Sequence, residues 1–223
     1  ILEKKDVDKS PLFIYGIQAD SFLVTTGKIK NNQTLGEILY SNHVDHPEIH
    51  QIVLKSKETF DVRRINTNKK YTLFCAKDST KKAKCFVYEE DAINYIVFDL
   101  REGIDVYRGK KEVLVKLKTA SSTINSSLWL TINHQGLSDK IAAELSTIYA
   151  WTIDFFKIQR GDSFKIYYED RYINDEDTSY IGIGKILASE FIHKGQKFYS
   201  FYYKENADYG DYYDDEGKTL RKA

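Results

Sequence analysis

Apolar and polar positions in this chain follow two rhythms. LFIYGI and SFLVTT are short β-prone runs, EVLVKLK and KFYSFYYK alternate with the two-residue period of half-buried strands, and Ile49, Ile52 and Val53 repeat at the i, i+3, i+4 spacing of a helix face. Residues 1–10 are charged and read as a frayed tail. Strands are predicted over residues 12–29, followed by a loop at Asn31 and Asn32, with Thr34 capping a helix over about residues 35–41. Asp45 or His46 caps a second helix, with Pro47 in its first turn, where a missing N–H costs nothing. FDVRRI, a turn over residues 66–70 and the strand YTLF complete the order β-α-α-β. A β-meander is predicted over residues 84–118. The same order then returns: EVLVKLK, a helix LWLTIN capped by Ser126 or Ser127 and ended by Gly136, a helix DKIAAELSTIYAW capped by Ser138, and FFKIQRGDSFKIYYE. A hairpin, IGIGKILASEFI to KFYSFYYK, and a polar, aromatic segment, YGDYYDDEGKTLRKA, follow.

The return is a repeat. At a constant offset of 93, Leu35 matches Leu128, Leu39 matches Ile132, Val44 matches Leu137, Ile52 matches Leu145, Asp61 matches Asp154, Ile65 matches Ile158, Tyr71 matches Phe164 and Leu73 matches Ile166. An ungapped offset over nearly forty residues marks a duplicated module. The expected fold is α+β: two related β-α-α-β, LysM-like modules joined and extended by antiparallel hairpins. The expected division is a tail over 1–10, a first module over 11–88, and a second over 89–223 that carries the meander and the last hairpin.

Composition narrows the class. Thirty-three basic residues balance 33 acidic ones, so no global field draws in nucleic acid or an anionic membrane. Seventeen Tyr and two Pro suit a folded, strand-rich chain. No run reaches the roughly 18 apolar residues of a membrane span. The start at Ile1 and the end at Ala223 read as cuts in a longer protein, trimmed behind a targeting or anchoring segment; a cytosolic fragment would look the same. Cys75 and Cys85 flank a polar stretch that reads as a hairpin turn. In register they would face each other and could bond in an oxidising compartment; a one-residue slip would leave two unpaired thiols.

Several constellations suggest chemistry. His43, His46 and His50 with Asp45 and Glu48 have metal-ligating side chains at close spacing, but Pro47 splits them and the second copy has no His there. Asp61 and Asp154 could act as paired acids only if brought within about 10 Å of each other, and they lie in different modules; a capping role fits better. Gly182 and Gly184 lack the third glycine of a dinucleotide loop and suit a strand bulge. The aromatic runs around Tyr167, Phe198, Phe201 and Tyr212 suit packing and docking more than a sugar platform. Trp129 and Trp151 fall on or at the end of helical apolar faces and are expected in the core.

The strings KIKNNQTLGEIL, FDVRRI, IYAWTIDFFKIQRGDSFKIYYE, IGIGKILASEF and YYDDEGKTLRKA resemble the region that precedes the catalytic domain in bacterial LytM-type (lysostaphin-like) cell-wall zinc metallopeptidases, over about residues 12–223. The individual modules resemble LysM-type, peptidoglycan-binding modules. The resemblance implies a non-catalytic regulatory or targeting region of a peptidoglycan endopeptidase in the bacterial periplasm or envelope. Its partners would be its own C-terminal catalytic domain and peptidoglycan. No cofactor is expected here; zinc belongs to the domain that would follow residue 223. That family's His-x-His motif is absent, so no catalytic or metal residue is carried over. The implied role is autoinhibition, with Glu37 and Glu48 as candidate inhibitory carboxylates. The alternative is a stand-alone glycan-binding module with glycan-facing loops at Asn31, Asn32, Thr34 and Asn125.

Overall fold

The computed structural model describes residues 11–174, 178–206 and 209–221; the tail expected over 1–10 lies outside them. The chain divides into two compact units, Ile1–Glu112 and Val113–Ala223.

The first unit opens with a short hairpin, β1 (Phe13–Ile14) and β2 (Ile17–Gln18), and continues through β3 (Phe22–Lys28), α1 (Leu35–Ser41), α2 (His46–Ser56), β4 (Lys70–Ala76), β5 (Ala83–Glu89), β6 (Asn94–Asp99) and β7 (Asp105–Lys110). The last five strands form one antiparallel sheet in the order β3-β4-β5-β6-β7. Helix α1 starts at Thr34 because a capping box holds it: the Glu37 N–H donates to the Thr34 hydroxyl and the Thr34 N–H donates to the Glu37 carboxylate. Asp45 caps α2, accepting from the Glu48 N–H at 2.8 Å, with Pro47 in the first turn. The helices bury Leu35, Ile38, Leu39 and Ile52 against Leu73, Phe86, Ile96 and Phe98 on one face of the sheet.

The other face is covered too. Phe74, Cys85, Val87 and Val97 cluster with Ile17 of the opening hairpin and Ala19 of the 3-10 turn Ala19–Ser21 that follows it. That strap turns at Tyr15 and Gly16, both at positive φ (55° and 75°), the backbone of a tight two-residue hairpin turn. The Tyr15 hydroxyl donates to Glu89, and Lys111 pairs with the same carboxylate at 3.1 Å. Burial, reinforced by the bond to Glu89, raises the pKa of the Tyr15 phenol.

The second unit comprises β8 (Val113–Thr123), α3 (Leu128–His134), α4 (Lys140–Ile148), β9 (Ser163–Ile173), β10 (Tyr180–His193), β11 (Gln196–Lys204) and β12 (Gly210–Tyr213). Its antiparallel sheet runs β12-β11-β10-β9-β8. The helices pack Leu128, Ile132, Ile141, Leu145 and Ile148 on Phe164, Ile166, Ile186 and Phe191. Within this core the Tyr149 hydroxyl lies 2.9 Å from Ser189 Oγ, which lies 2.6 Å from Ser200 Oγ. The register of β10 against β9 shifts around Gly182, Ile183 and Ile186. A Cβ at Gly184 would lie 2.9 Å from Glu169 Cβ, so glycine fits this irregular stretch where larger residues would clash.

The offset of 93 persists in the backbone: α1 and α3 begin and end at matching positions. So do the 3-10 turns Val62–Arg64 and Phe155–Lys157, each capped by its repeated aspartate. Asp61 accepts from the Arg63 N–H at 3.0 Å and Asp154 from the Phe156 N–H at 3.1 Å.

The expected α+β class of LysM-like modules is nevertheless wrong. The architecture is mainly antiparallel β: five-stranded sheets with a short helix pair on one face. The strands flanking each helix pair are only two of five. The rest, taken as joining hairpins, bond into the same sheets because their apolar faces have nowhere else to bury. For the same reason β6 and β7, placed by the sequence in a second module starting at residue 89, belong to the first sheet. The cysteines are not paired across the hairpin. An irregularity between Phe74 and Cys75 sets Cys75 opposite Ala83 and Phe74 opposite Cys85. Cys75 faces the helix side and Cys85 the strap side, and both are free and buried. Trp129 and Trp151 are not core residues; they are 51% and 66% exposed.

Candidate functional site

In the second unit, the start of α3, one side of α4 and the 3-10 turn Phe155–Lys157 line an open groove of about 680 Å³. Its floor is apolar, with Leu128, Ala142, Phe155 and Ile158; its walls carry Ser126, Ser127, Trp129, Asp139, Ser146 and Phe156. Local bonds set each wall. The Ser127 hydroxyl accepts from the Leu130 N–H at 3.2 Å and starts α3, which leaves Trp129 in the first turn, half out of the protein. Asp154 turns the chain so that Phe156 is fully exposed, while Lys157 pairs with Asp154 at 3.0 Å. Those same contacts hold the Asp154 carboxyl below the usual carboxylate range, the Lys157 bond first and the Phe156 N–H second. Asp139 occupies the N-cap position of α4 but makes no side-chain capping bond. The Ser146 hydroxyl donates back to the Ala142 carbonyl at 2.8 Å.

The internal twin shows which of these groups the fold requires. At the offset of 93, Trp129 corresponds to Gly36, Asp139 to His46 and Phe156 to Arg63. The first unit forms the same helix pair and turn without either aromatic side chain. This comparison was available in the sequence, but the expectation of core tryptophans passed over it.

The residues singled out by the sequence lie elsewhere, or beside the groove. Glu37 is committed to its capping box, and Glu48 Oε2 pairs with Lys82 at 2.5 Å. Asn31 and Asn32 form an exposed turn, with Asn32 at φ 61°, and Thr34 caps α1. Asn125 is exposed, next to Ser126 of the groove. His46 stacks on Tyr40. No group of three or more His, Cys, Asp or Glu side chains with metal-binding geometry occurs among the described residues.

A buried polar cluster braces the turn beside the groove. The Asp162 carboxylate accepts from the Gln159 N–H at 3.0 Å and the Lys194 N–H at 2.9 Å, and its Oδ2 lies 2.7 Å from His193 Nδ1. Burial pushes this carboxyl's pKa up, but the two backbone donors and His193 together outweigh it, and the net shift is downward.

Comparison with known proteins gives these elements a context. Residues 114–223 match the Csd3 second domain family. The peptidoglycan DD-endopeptidase ShyC of Vibrio cholerae is 36% identical over 115 residues, which is 51% of this chain and 25% of that protein. An uncharacterized metalloprotease of Haemophilus influenzae is 23% identical over 208 residues, 91% of this chain and 40% of its own length. Among solved structures, a zinc containing peptidase from Vibrio cholerae superposes with a TM-score of 0.63 at 18% identity, covering 89% of this chain and 59% of that one. Helicobacter pylori Csd3, in its hexagonal crystal, gives 0.59 at 17% identity, covering 88% and 52%. The chain thus spans a quarter to two fifths of the curated relatives it matches. Its second unit is similar in sequence to the Csd3 second domain, and most of the chain shares the fold of part of a zinc containing peptidase.

Proposed function

We propose that this chain is a non-catalytic accessory region of a peptidoglycan endopeptidase, acting outside the cytoplasm in the bacterial envelope. It covers or positions a zinc catalytic domain that would follow residue 223. The observation that carries this reading is the 36% identity over 115 residues to a peptidoglycan DD-endopeptidase, together with the match of residues 114–223 to the Csd3 second domain family. The first unit, with both sheet faces covered, offers a packed body suited to steric restraint of a neighbouring cleft. Of the two candidate inhibitory carboxylates, Glu48 is better placed, because its one ion pair is part-exposed while Glu37 holds the start of α1. The test extends the chain past Ala223 and measures peptidoglycan cleavage with and without residues 1–112. Faster cleavage after deletion supports covering; unchanged or lost cleavage overturns it.

A second reading, a peptidoglycan-binding module, is favoured by one specific observation: the groove in the second unit has exposed aromatic walls that its twin lacks. Co-sedimentation of the chain with purified peptidoglycan tests it, and a chain that stays in the supernatant refutes it.

A further inference from the structure

We propose that the groove between α3, α4 and the turn Phe155–Lys157 is a saccharide site. It would take a pyranose unit of a neutral glycan against Trp129 and Phe156, with Asp139 accepting from the sugar hydroxyls. This deepens the peptidoglycan reading, on which it rests for the source of the glycan. Four observations converge on it. A pyranose ring has an apolar C–H face that packs on a flat aromatic ring, and Trp129 and Phe156 hold such rings exposed at the groove wall. The Asp139 carboxylate, which makes no capping bond, has acceptor positions for two adjacent hydroxyls. The Ser127 oxygen receives a backbone N–H, which leaves the hydroxyl's proton to donate outward. The lining also contains one carboxylate and no Lys, Arg or His. Phosphates and acidic peptides have no counter-charge there, while an uncharged polyol loses nothing.

The twin unit supplies the control. With Gly36, His46 and Arg63 at the matching positions, it keeps the scaffold without the aromatic walls, so folding does not demand them. The volume of about 680 Å³ lies within the range of small-ligand sites and accommodates one or two sugar rings.

The probe is tetra-N-acetylchitotetraose, a soluble β-linked sugar tetramer. It is titrated into the full chain carrying Trp151→Phe, so that Trp129 is the remaining tryptophan. A saturable change in Trp129 emission is expected. Calorimetry on Trp129→Ala, Phe156→Ala and Asp139→Asn should each show binding about tenfold weaker. Phe156 is fully exposed, so its removal leaves the fold intact, which circular dichroism checks. Absence of saturable binding up to about 10 mM sugar, or binding indifferent to all three variants, overturns the proposal. Self-association of the chain that Phe156→Ala abolishes also overturns it, since a protein surface would then occupy the groove. Failure here leaves the deletion assay on the extended enzyme unaffected, so the saccharide site and the accessory role can fail separately.

Discussion

Replacing Asp162 with alanine removes the bond acceptor for three groups at once. The Gln159 N–H, the Lys194 N–H and His193 Nδ1 all meet its carboxylate within 3.0 Å, and the side chain is 3% exposed. A hydrogen bond to a charged partner contributes about 1.5–3 kcal/mol, and a buried donor left without its acceptor costs about 1–3 kcal/mol. The three bonds share one carboxylate and water can enter the vacated turn, so the contributions do not add. The expected loss is about 3–5 kcal/mol for Asp162→Ala and about 1–3 kcal/mol for Asp162→Asn, which keeps one acceptor oxygen. The assay is urea unfolding followed by tryptophan emission. Both tryptophans lie in the second unit, so the signal reports that unit alone. The pH dependence gives an independent check. Because the folded pKa of Asp162 lies below its ordinary value, its stabilisation is present above the unfolded-state pKa and is lost as pH falls through the folded one. The difference between wild type and Asp162→Ala should therefore be full at neutral pH and shrink in acid. A loss under about 0.5 kcal/mol at neutral pH, the usual scatter of a surface substitution, would refute the bracing role. So would a difference that persists unchanged below the carboxylate range.

Two further outcomes are expected. Cys75 and Cys85 should resist a thiol reagent in the native protein and react together only in denaturant, since both are buried and burial pushes the Cys85 thiol up to about 12; a native disulfide found by mass spectrometry would overturn the register of β4 and β5. Tyr149→Phe should lower the stability of the second unit by about 1–3 kcal/mol, because Ser189 and Ser200 lose the hydroxyl that completes their buried chain; thermal unfolding with the wild-type midpoint would show that the two serines satisfy each other without it.

Short-range signals in the sequence were sound where local chemistry decides structure. Thr34, Asp45 and Pro47 mark the helix starts because the caps are made by residues three positions apart. The offset of 93 survives because helix and turn geometry is set within each copy. Partnership between distant strands is a different matter. Alternation reveals that residues 94–110 are strands but not which sheet they join, and that choice depends on the apolar faces of β5 and β6 seeking cover. The cysteine pairing, which the sequence left open between a facing pair and a one-residue slip, was decided by a single irregularity between Phe74 and Cys75. Trp129 was misplaced because it adjoins Leu128 in a helix whose buried positions are Leu128, Thr131 and Ile132, one step around from the tryptophan. The groove was legible only by asking where the two copies differ rather than where they agree.

The strap of the first unit also imposes an order of events. Its Tyr15 anchor meets Glu89, 74 residues later, and the strands it shelters, β5 and β6, are made long after it. During synthesis the strap therefore emerges without a surface to rest on, and the outer face of that sheet stays bare until β6 is in place. Contacts so far apart in the chain carry a large loop-closure entropy and form late. The interval between the formation of β5 and the arrival of the strap is then when this unit is most exposed to aggregation. A kinetic measurement should find the closing of that face among the last steps of folding, after the helix side has already packed.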